Sequence, residues 1–387
     1  MKYLVDVYHH SLNKVGEELC GDQIRDLSTG GKTRMVLCDG LGSGVKANIL
    51  ATLSSEIIIK MLRYEIPLTE VIETVVASLP VDKRHNLSYT TKTVIEIDNT
   101  DLSFKIFNFN NPPILYYHDG KFTPLEFSNI SILDKNVLFC RGTLHRGDLL
   151  IAMSDGIVHA GIGGAFNFEW NLEHITDYIQ ELLQFLPSNV RLIVEKVTAH
   201  TNELYGRKPS DDASLAGLLV RAKQHVMLLT GPPLDPAEDR VIAQRILEFQ
   251  GTRIVCGGTT GKIVAAHSGQ SVSVKPETAR LEVPPMGSLP GVDLLTEGIL
   301  TLSSVLEWIE ATGGNENLLP KRDKSGAIQV ADILLDADEI TLLVGLKINP
   351  AYQNPDLPQS VSIRRNLMER IAECLTRLGK SVQLEFH

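Results

Sequence analysis

Cysteine is scarce in this 387-residue sequence: Cys20, Cys38, Cys140, Cys256 and Cys374 stand far apart, odd in number and without a C-x-x-C pair. That pattern argues against a disulfide framework and fits reduced cytosolic thiols. No Lys/Arg-rich run occurs and the formal charge is −10, so nucleic acid and anionic membranes are poor partners. The acidic balance itself implies no more than solubility. No apolar run approaches the roughly 18 residues of a membrane span. The first ten residues read as a strand rather than as a charged head followed by an apolar signal segment. A cytoplasmic protein with no nucleic-acid and no membrane partner is expected.

What is present is an ordinary globular composition, 43% hydrophobic and 22% charged, at a length that favours two domains, each with a sizeable core. At the centre of the reading, an apolar strand at 35–37 runs into Asp39, followed by Gly40, Gly42 and Gly44 and then a helix. The strand delivers a carboxylate, and glycines without a Cβ let backbone groups approach whatever it holds: a metal, a phosphate or both. Asp22, after Gly21, stands near the end of a segment able to pair with this strand as a hairpin. A helix is predicted over 44–64 with Ile49, Leu53, Ile57 and Met61 as its apolar stripe. A second is predicted over 69–79, with Thr69 as N-cap and Pro80 as its stop. Strands over 90–97, 103–109 and 114–117 read as a meander, and 118–121 as a hairpin turn.

The device then recurs. The apolar segment 149–153 leads to Asp155 and Gly156. After a glycine-rich loop at 161–164 and an aromatic stretch at 166–170, helices are expected through 175–185 and 190–203. Asp211 and Asp212 open another apolar strand, 215–220. One Asp-Gly alone is most often a turn. Asp22, Asp39, Asp155 and Asp211, however, each border a predicted buried strand. If the fold gathers those ends, unpaired like charges raise one another's pKa and destabilise the fold, a penalty that divalent cations remove. Oxygen-only ligation suits hard ions such as Mg2+ or Mn2+, and two such ions suit hydrolysis of a phosphate ester.

Past residue 225 the pattern restarts with a strand at 226–229, a helix start at Asp235, Pro236 and Glu238, and a returning strand at 252–256. This β-α-β unit belongs to a second α/β domain. Gly257, Gly258, Gly261 and Lys262 then lead into a short helix at 263–267. They read either as an anion or small-ligand site or as a tight structural turn; the P-loop pattern fails because Ile263 follows the lysine. Further on come a helix at 296–310, an exposed loop at 312–325, a strand at 340–348, a proline-rich crossing at 350–358, a helix at 361–378 and a strand at 382–386.

Gly21 and Asp22, then Asp39 and Gly40 with Gly42 and Gly44, then Gly147 to Asp155 and Gly156, then Asp211 and Asp212 resemble, in order and spacing, the motifs of the PPM family of metal-dependent serine/threonine phosphatases. The bacterial SpoIIE-like branch is the closer match, and within it the stressosome-type phosphatases. The resemblance covers 1–221. It implies a PPM-type β-sandwich flanked by helices; with the smaller α/β domain read above at 226–387, which resembles no known family, the chain is expected to be of mixed α/β (α+β) class. The resemblance also implies a site with two Mn2+ or Mg2+ ions. Asp39 would bridge them, Asp22 and the Gly40 carbonyl would complete one site, and Asp155 and Asp211 the other. A water between the ions would attack phosphorus in line, without a phosphoenzyme.

Ile157, Val158 and His159 depart from the Thr-Glu that many relatives carry after Asp-Gly. Arg34 and Lys46 read as solvated surface residues rather than phosphate contacts. His9, His10 and His159 read as paired or exposed structural histidines rather than general acids. Asp212 reads as orienting Asp211 rather than ligating a further metal. The leading expectation is a protein phosphatase acting on a phosphorylated regulatory protein of the anti-sigma-antagonist or stressosome type. The competing one is a non-catalytic binding module on the same fold. The second domain is expected to sense a ligand or bind a partner; a second enzyme or nucleotide-binding domain is the alternative.

Overall fold

Strand segments buried along both faces can only be interior strands, and three of them organise the first half of the chain: Lys32–Gly40, Leu149–Met153 and Ala213–Ala222. The computed structural model describes residues 3–387 except 79–80, 83–86, 89, 134, 162–169, 187–188, 276–285, 316–317, 321–322 and 348–360. The glycine-rich loop at 161–164, the aromatic stretch at 166–170, Pro80 and the proline-rich crossing therefore lie wholly or largely outside the described residues. The chain divides into two units, Met1–Ala222 and Lys223–His387.

In the first unit, strands β1 (Tyr3–Leu12), β2 (Asp22–Thr29) and β3 (Lys32–Gly40) precede helices α1 (Gly44–Arg63) and α2 (Leu68–Ser78). After the short pair β4 (Val81–Asp82) and β5 (Leu87–Ser88) come β6 (Thr90–Asp98), β7 (Ser103–Phe109), β8 (Leu115–His118) and β9 (Lys121–Thr123). Then follow β10 (Ser128–Ile132), β11 (Lys135–Thr143), β12 (Leu149–Met153), α3 (Asp155–Val158), α4 (Leu172–Phe185), α5 (Val190–Leu204) and β13 (Ala213–Ala222). One sheet has the order β1-β13-β12-β8-β9 and the other β10-β11-β7-β6-β3-β2. Their facing sides share a core that includes Val5, Met35, Leu37, Ile95, Ile106, Leu150 and Leu218. The outer side of the first sheet is covered by α4 and α5 through Ile175, Ile179, Ile193 and Val197. That of the second is covered by α1 and α2 through Ile58, Leu62, Val71 and Ile72. The result is a sandwich of two sheets between two helical layers.

Two expectations are corrected here. The buried face of α1 is Ala47, Ala51, Ser54, Ser55, Ile58, Ile59 and Leu62, whereas Ile49 and Leu53 are 58% and 49% exposed. Small residues let the helix lie close on the sheet, so they face inward although the larger apolar side chains show the stronger periodicity. Arg34 is neither solvated nor a phosphate contact: its side chain is 1% exposed, and it donates from Nε to Glu96 at 2.9 Å and from Nη2 to Glu65 at 2.7 Å.

The second unit is built of β14 (His225–Thr230), a 3-10 turn at Pro236–Glu238, α6 (Asp239–Glu248), β15 (Thr252–Cys256), α7 (Gly258–Ser268), β16 (Ser273–Lys275), β17 (Met286–Ser288) and β18 (Leu294–Thr296). It continues through α8 (Ile299–Thr312), α9 (Gly326–Asp336), β19 (Glu339–Val344), α10 (Val361–Arg377) and β20 (Ser381–Phe386). The sheet order is β16-β17-β18-β15-β14-β19-β20, parallel from β18 to β20. Cores on both faces, α6 and α7 on one and α8, α9 and α10 on the other, make it doubly wound. The chain reverses between β14 and β19, where such folds often open a ligand crevice. Here Gly345 N donates to Thr230 O at 2.8 Å and Lys347 N to Pro232 O at 3.1 Å. A Cβ on Gly345 would lie 2.2 Å from Pro232 O, so backbone fills that point.

Further differences follow from local context. Thr296 ends β18, and the helix expected from it starts at Ile299. The loop expected at 312–325 lies between α8 and α9, and the helix α9 that follows it was not anticipated from the sequence. Gly258 and Gly261 lie inside α7 rather than in a loop before it, with Gly257 as its N-cap at φ 125°. Gly261 is where the helix packs on Leu295, 2.9 Å from an added Cβ. The Glu297 carboxylate lies 3.5 Å from a Cβ placed on Gly258, so an acid already faces the start of this helix. Among the described residues no helix is long and apolar enough to cross a membrane.

Removing one partner of a buried ion pair strands the other charge. Arg34→Met is predicted to lower unfolding free energy by about 3–5 kcal/mol, and the double variant with Glu96→Leu to recover most of the loss. Urea unfolding of both variants checks this; a single variant within about 1 kcal/mol of the parent contradicts it.

Candidate functional site

The register of one hairpin sets the first pair of carboxylates. Gly30 and Gly31, at φ 57° and 74°, form the two-residue turn between β2 and β3, a conformation that glycine adopts without strain. With Thr29 opposite Lys32, counting outward puts Asp22 opposite Asp39. The second pair comes from the other sheet. Antiparallel β12 and β13 pair Met153 with Leu215, so Asp155, just past β12, and Asp211 and Asp212, just before β13, leave the sheet side by side. The ends of both sheets thus bring Asp22, Asp39, Asp155 and Asp211 into mutual electrostatic range, as the protonation of Asp39 reflects: burial, then the charges of Asp22, Asp155 and Asp211, raise its pKa.

Asp22 is 3% exposed. Burial is the main cause of its raised pKa, opposed by hydrogen bonds from Ser154 and Ser214 and reinforced by the charges of Asp212 and Asp155. Asp211 is raised as well, first by burial. Asp212 is buried; its backbone N–H donates to Asp211 Oδ1 at 3.0 Å, and its own Oδ1 accepts from Lys14 N at 3.0 Å. Among the described residues, Asp22 Oδ2 and Asp212 Oδ2 are buried without a hydrogen-bond partner. Orphaned carboxylate oxygens among like charges are costly, and an all-oxygen donor set is what a hard divalent cation takes. The residues therefore fit such an ion.

Glycine is required where strands and helices close on this end. A Cβ on Gly40 would lie 2.2 Å from Ala47 O, and one on Gly156 2.1 Å from Asp212 O. Close approach to α1 is thus the work of Gly40, while Gly42 and Gly44 have positive φ, 98° and 71°.

Three residues at this end were not singled out from the sequence. Ser154 and Ser214 lie inside the motifs but act only once β12 and β13 are paired; Ser214 N donates to Ser154 Oγ at 2.8 Å. Tyr205, at the end of α5, donates to Gly156 O at 2.7 Å, and burial and then the Asp211 charge push its pKa up to about 12. No local signal marks it. His9 pairs with Asp26 at 3.5 Å, and His10, His159 and Lys46 are exposed.

The family model for Stage II sporulation protein E (SpoIIE) matches residues 29–221. Residues 29–221 are a SpoIIE-family domain. Among solved structures, the chain is similar to the PP2C phosphatase domain of SpoIIE from Bacillus subtilis with a fragment of its regulatory domain, at 21% identity and a TM-score of 0.49, covering 58% of this chain and 64% of that one, less than two thirds of its length. It is also similar to the RsbU and RsbW domains of a Mycobacterium tuberculosis protein, at 19% identity and a TM-score of 0.46 over 63% of this chain and 67% of that one. RsbX in complex with magnesium matches at 17% identity and a TM-score of 0.40, over 57% of this chain and 96% of that one. No curated protein matches the chain.

Burial and like charges give a pH prediction for the metal-free SpoIIE-type domain. The unfolded carboxyl titrates at about 3.9, while Asp22 is pushed up to about 6 and Asp39 up to about 9. The folded state then binds more protons than the unfolded one between those values, so these groups contribute stability at low pH that is lost as pH rises through the folded pKa values. The melting temperature of the chelator-treated protein is predicted to fall between about pH 5 and 9, with a shallower fall in Asp39→Asn. Identical slopes in the two proteins contradict this.

Proposed function

We propose that the SpoIIE-type domain is a divalent-metal-dependent protein serine/threonine phosphatase whose substrate is a small phosphorylated regulatory protein. The observation that carries the reading is the set of carboxylates from the ends of both sheets, with buried oxygens left unpartnered and with the pKa values of Asp22 and Asp39 raised first by burial and then by neighbouring carboxylates. Held this way, the carboxylates hold protons in the absence of metal and exchange them for a divalent cation.

In this reading Asp39, between Asp22 on its own sheet and Asp155 and Asp211 on the other, would hold Mn2+ or Mg2+ ions together with those three carboxylates and the Gly40 carbonyl. When bound, such ions polarise a phosphoryl oxygen and lower the pKa of water. The chain's own part is positional. Ser154 and Ser214 hold Asp22 through hydrogen bonds to its carboxylate. The Asp212 N–H holds Asp211 Oδ1, and Tyr205 fixes the Gly156 carbonyl next to Asp155. The exposed side of Asp155 leaves a substrate phosphate access from solvent. The resemblance to stressosome-type phosphatases supports a phosphorylated regulator as substrate. For the second unit we propose a regulatory role, sensing a ligand or partner; the closed backbone between β14 and β19 favours this over dinucleotide binding.

The test is Mn2+-dependent hydrolysis of p-nitrophenyl phosphate by the parent chain, Asp39→Asn and Asp155→Asn. The variants are predicted to lose at least about 100-fold in rate, since loss of an outer-shell partner alone costs about 10–100-fold. Equal rates in all three contradict the enzyme reading and leave a non-catalytic binding module.

A further inference from the structure

At the far end of β12 from the carboxylate centre, a second group of ionisable side chains converges. Five strand residues separate Asp148, which precedes β12, from the segment that leads to Asp155, a span of about 17 Å at the rise of a strand. Asp148 lies on the connection from β11 to β12, where Gly147 takes φ 90° and Asp148 N donates to His145 O at 3.0 Å. That turn brings the His145 ring over its own carboxylate neighbour. His118 arrives from another part of the chain, as the last residue of β8, which pairs with β12. An imidazole nitrogen from each histidine and one Asp148 oxygen lie within 4.8 Å of one another.

The carboxylate is held in a fixed orientation. Its Oδ2 accepts from Tyr116 Oη at 2.7 Å and from His145 N at 2.8 Å, while Oδ1 lies 2.8 Å from His118 Nδ1. The His145 Nδ1 atom lies 3.7 Å from Oδ2, and the two imidazole rings are 5.2 Å apart between centroids. Tyr116, stacked on His118, is the phenol donor of that bond to Oδ2. A metal-ligating carboxylate oriented by an outer hydrogen-bond donor is the usual arrangement at protein metal sites.

The charge balance points the same way. The Asp148 side chain is 2% exposed, and its ion-pair partners among the described residues are the two histidines. Neither partner is a lysine or an arginine, and a buried carboxylate needs a counter-charge. A divalent ion supplies one. Two imidazoles and one carboxylate suit a borderline transition metal rather than Mg2+ or Mn2+, and leave a fourth tetrahedral position open. His145, 68% exposed, keeps that side accessible.

We propose that His118, His145 and Asp148 form a Zn2+ site, separate from the carboxylate centre, that ties the end of β8 to the β11–β12 turn. The proposal does not depend on the phosphatase reading. Co2+ is the spectroscopic probe, used on the full chain, on Asp39→Asn, on His118→Gln and on His145→Gln. Both histidines lie at the surface, so the two histidine variants are expected to fold, as circular dichroism will verify. The expected result is an intense visible spectrum of four-coordinate Co2+, without a thiolate charge-transfer band, in the full chain and in Asp39→Asn. Loss of either histidine removes it, and weakens Zn2+ binding in calorimetry by more than the about 10–100-fold typical of an outer-shell partner. Zn2+ likewise raises the melting temperature of the parent and of Asp39→Asn but not of the histidine variants. Absence of the spectrum in the parent, its survival in both folded histidine variants, or a sulfur-ligated spectrum overturns the proposal.

Discussion

Repulsion among clustered carboxylates, with Asp22 buried and Asp39 and Asp211 partly so, is the constraint around which the first unit is arranged. Asp22 and Asp39 are fixed opposite each other by hairpin register, and Asp155 and Asp211 leave adjacent strands of the other sheet. None of these positions can move without shifting a strand. The surroundings do little to neutralise the group: Ser154 and Ser214 donate hydrogen bonds to Asp22 and thereby lower its pKa, yet burial outweighs them. A fold that keeps such a cluster and leaves two of its oxygens unpartnered is complementary to a cation, since protons and metals are the two species that relieve like-charge repulsion between carboxylates.

The same constraint explains which glycines matter. Gly40 and Gly156 each follow an acidic residue, and at each a Cβ would run into backbone. They let α1 and the β13 segment close behind the carboxylates, which keeps solvent from that side and raises the electrostatic stakes.

Much of this was legible in the sequence because each aspartate stands at the end of an apolar strand, and strands of opposite direction bring such ends together. The sandwich could be anticipated from turn residues at short intervals and from motifs in a family's order. What failed was whatever depends on distant partners. The burial of Arg34 is set by Glu65 and Glu96, far along the chain, and no local pattern announces it. The apolar period of α1 pointed to Ile49 and Leu53 because periodicity counts hydrophobicity and ignores size, whereas close packing on a sheet selects Ala47, Ala51 and Ser54. In the second unit, Gly258 and Gly261 looked like a loop because glycine disfavours helices, but Gly261 is where α7 must approach Leu295. The grouping of His118, His145 and Asp148 was invisible for the same reason as Arg34: it exists only once β8 pairs with β12.

The central claim is that divalent ions, held through Asp39, resolve the carboxylate repulsion. Its most direct test is the number of Mn2+ ions bound per chain at equilibrium, measured by electron paramagnetic resonance of free Mn2+ for the parent and for Asp39→Asn. The account predicts two ions for the parent and loss of both at matched concentration in the variant; equal occupancy in the two proteins, or none in the parent, would contradict it.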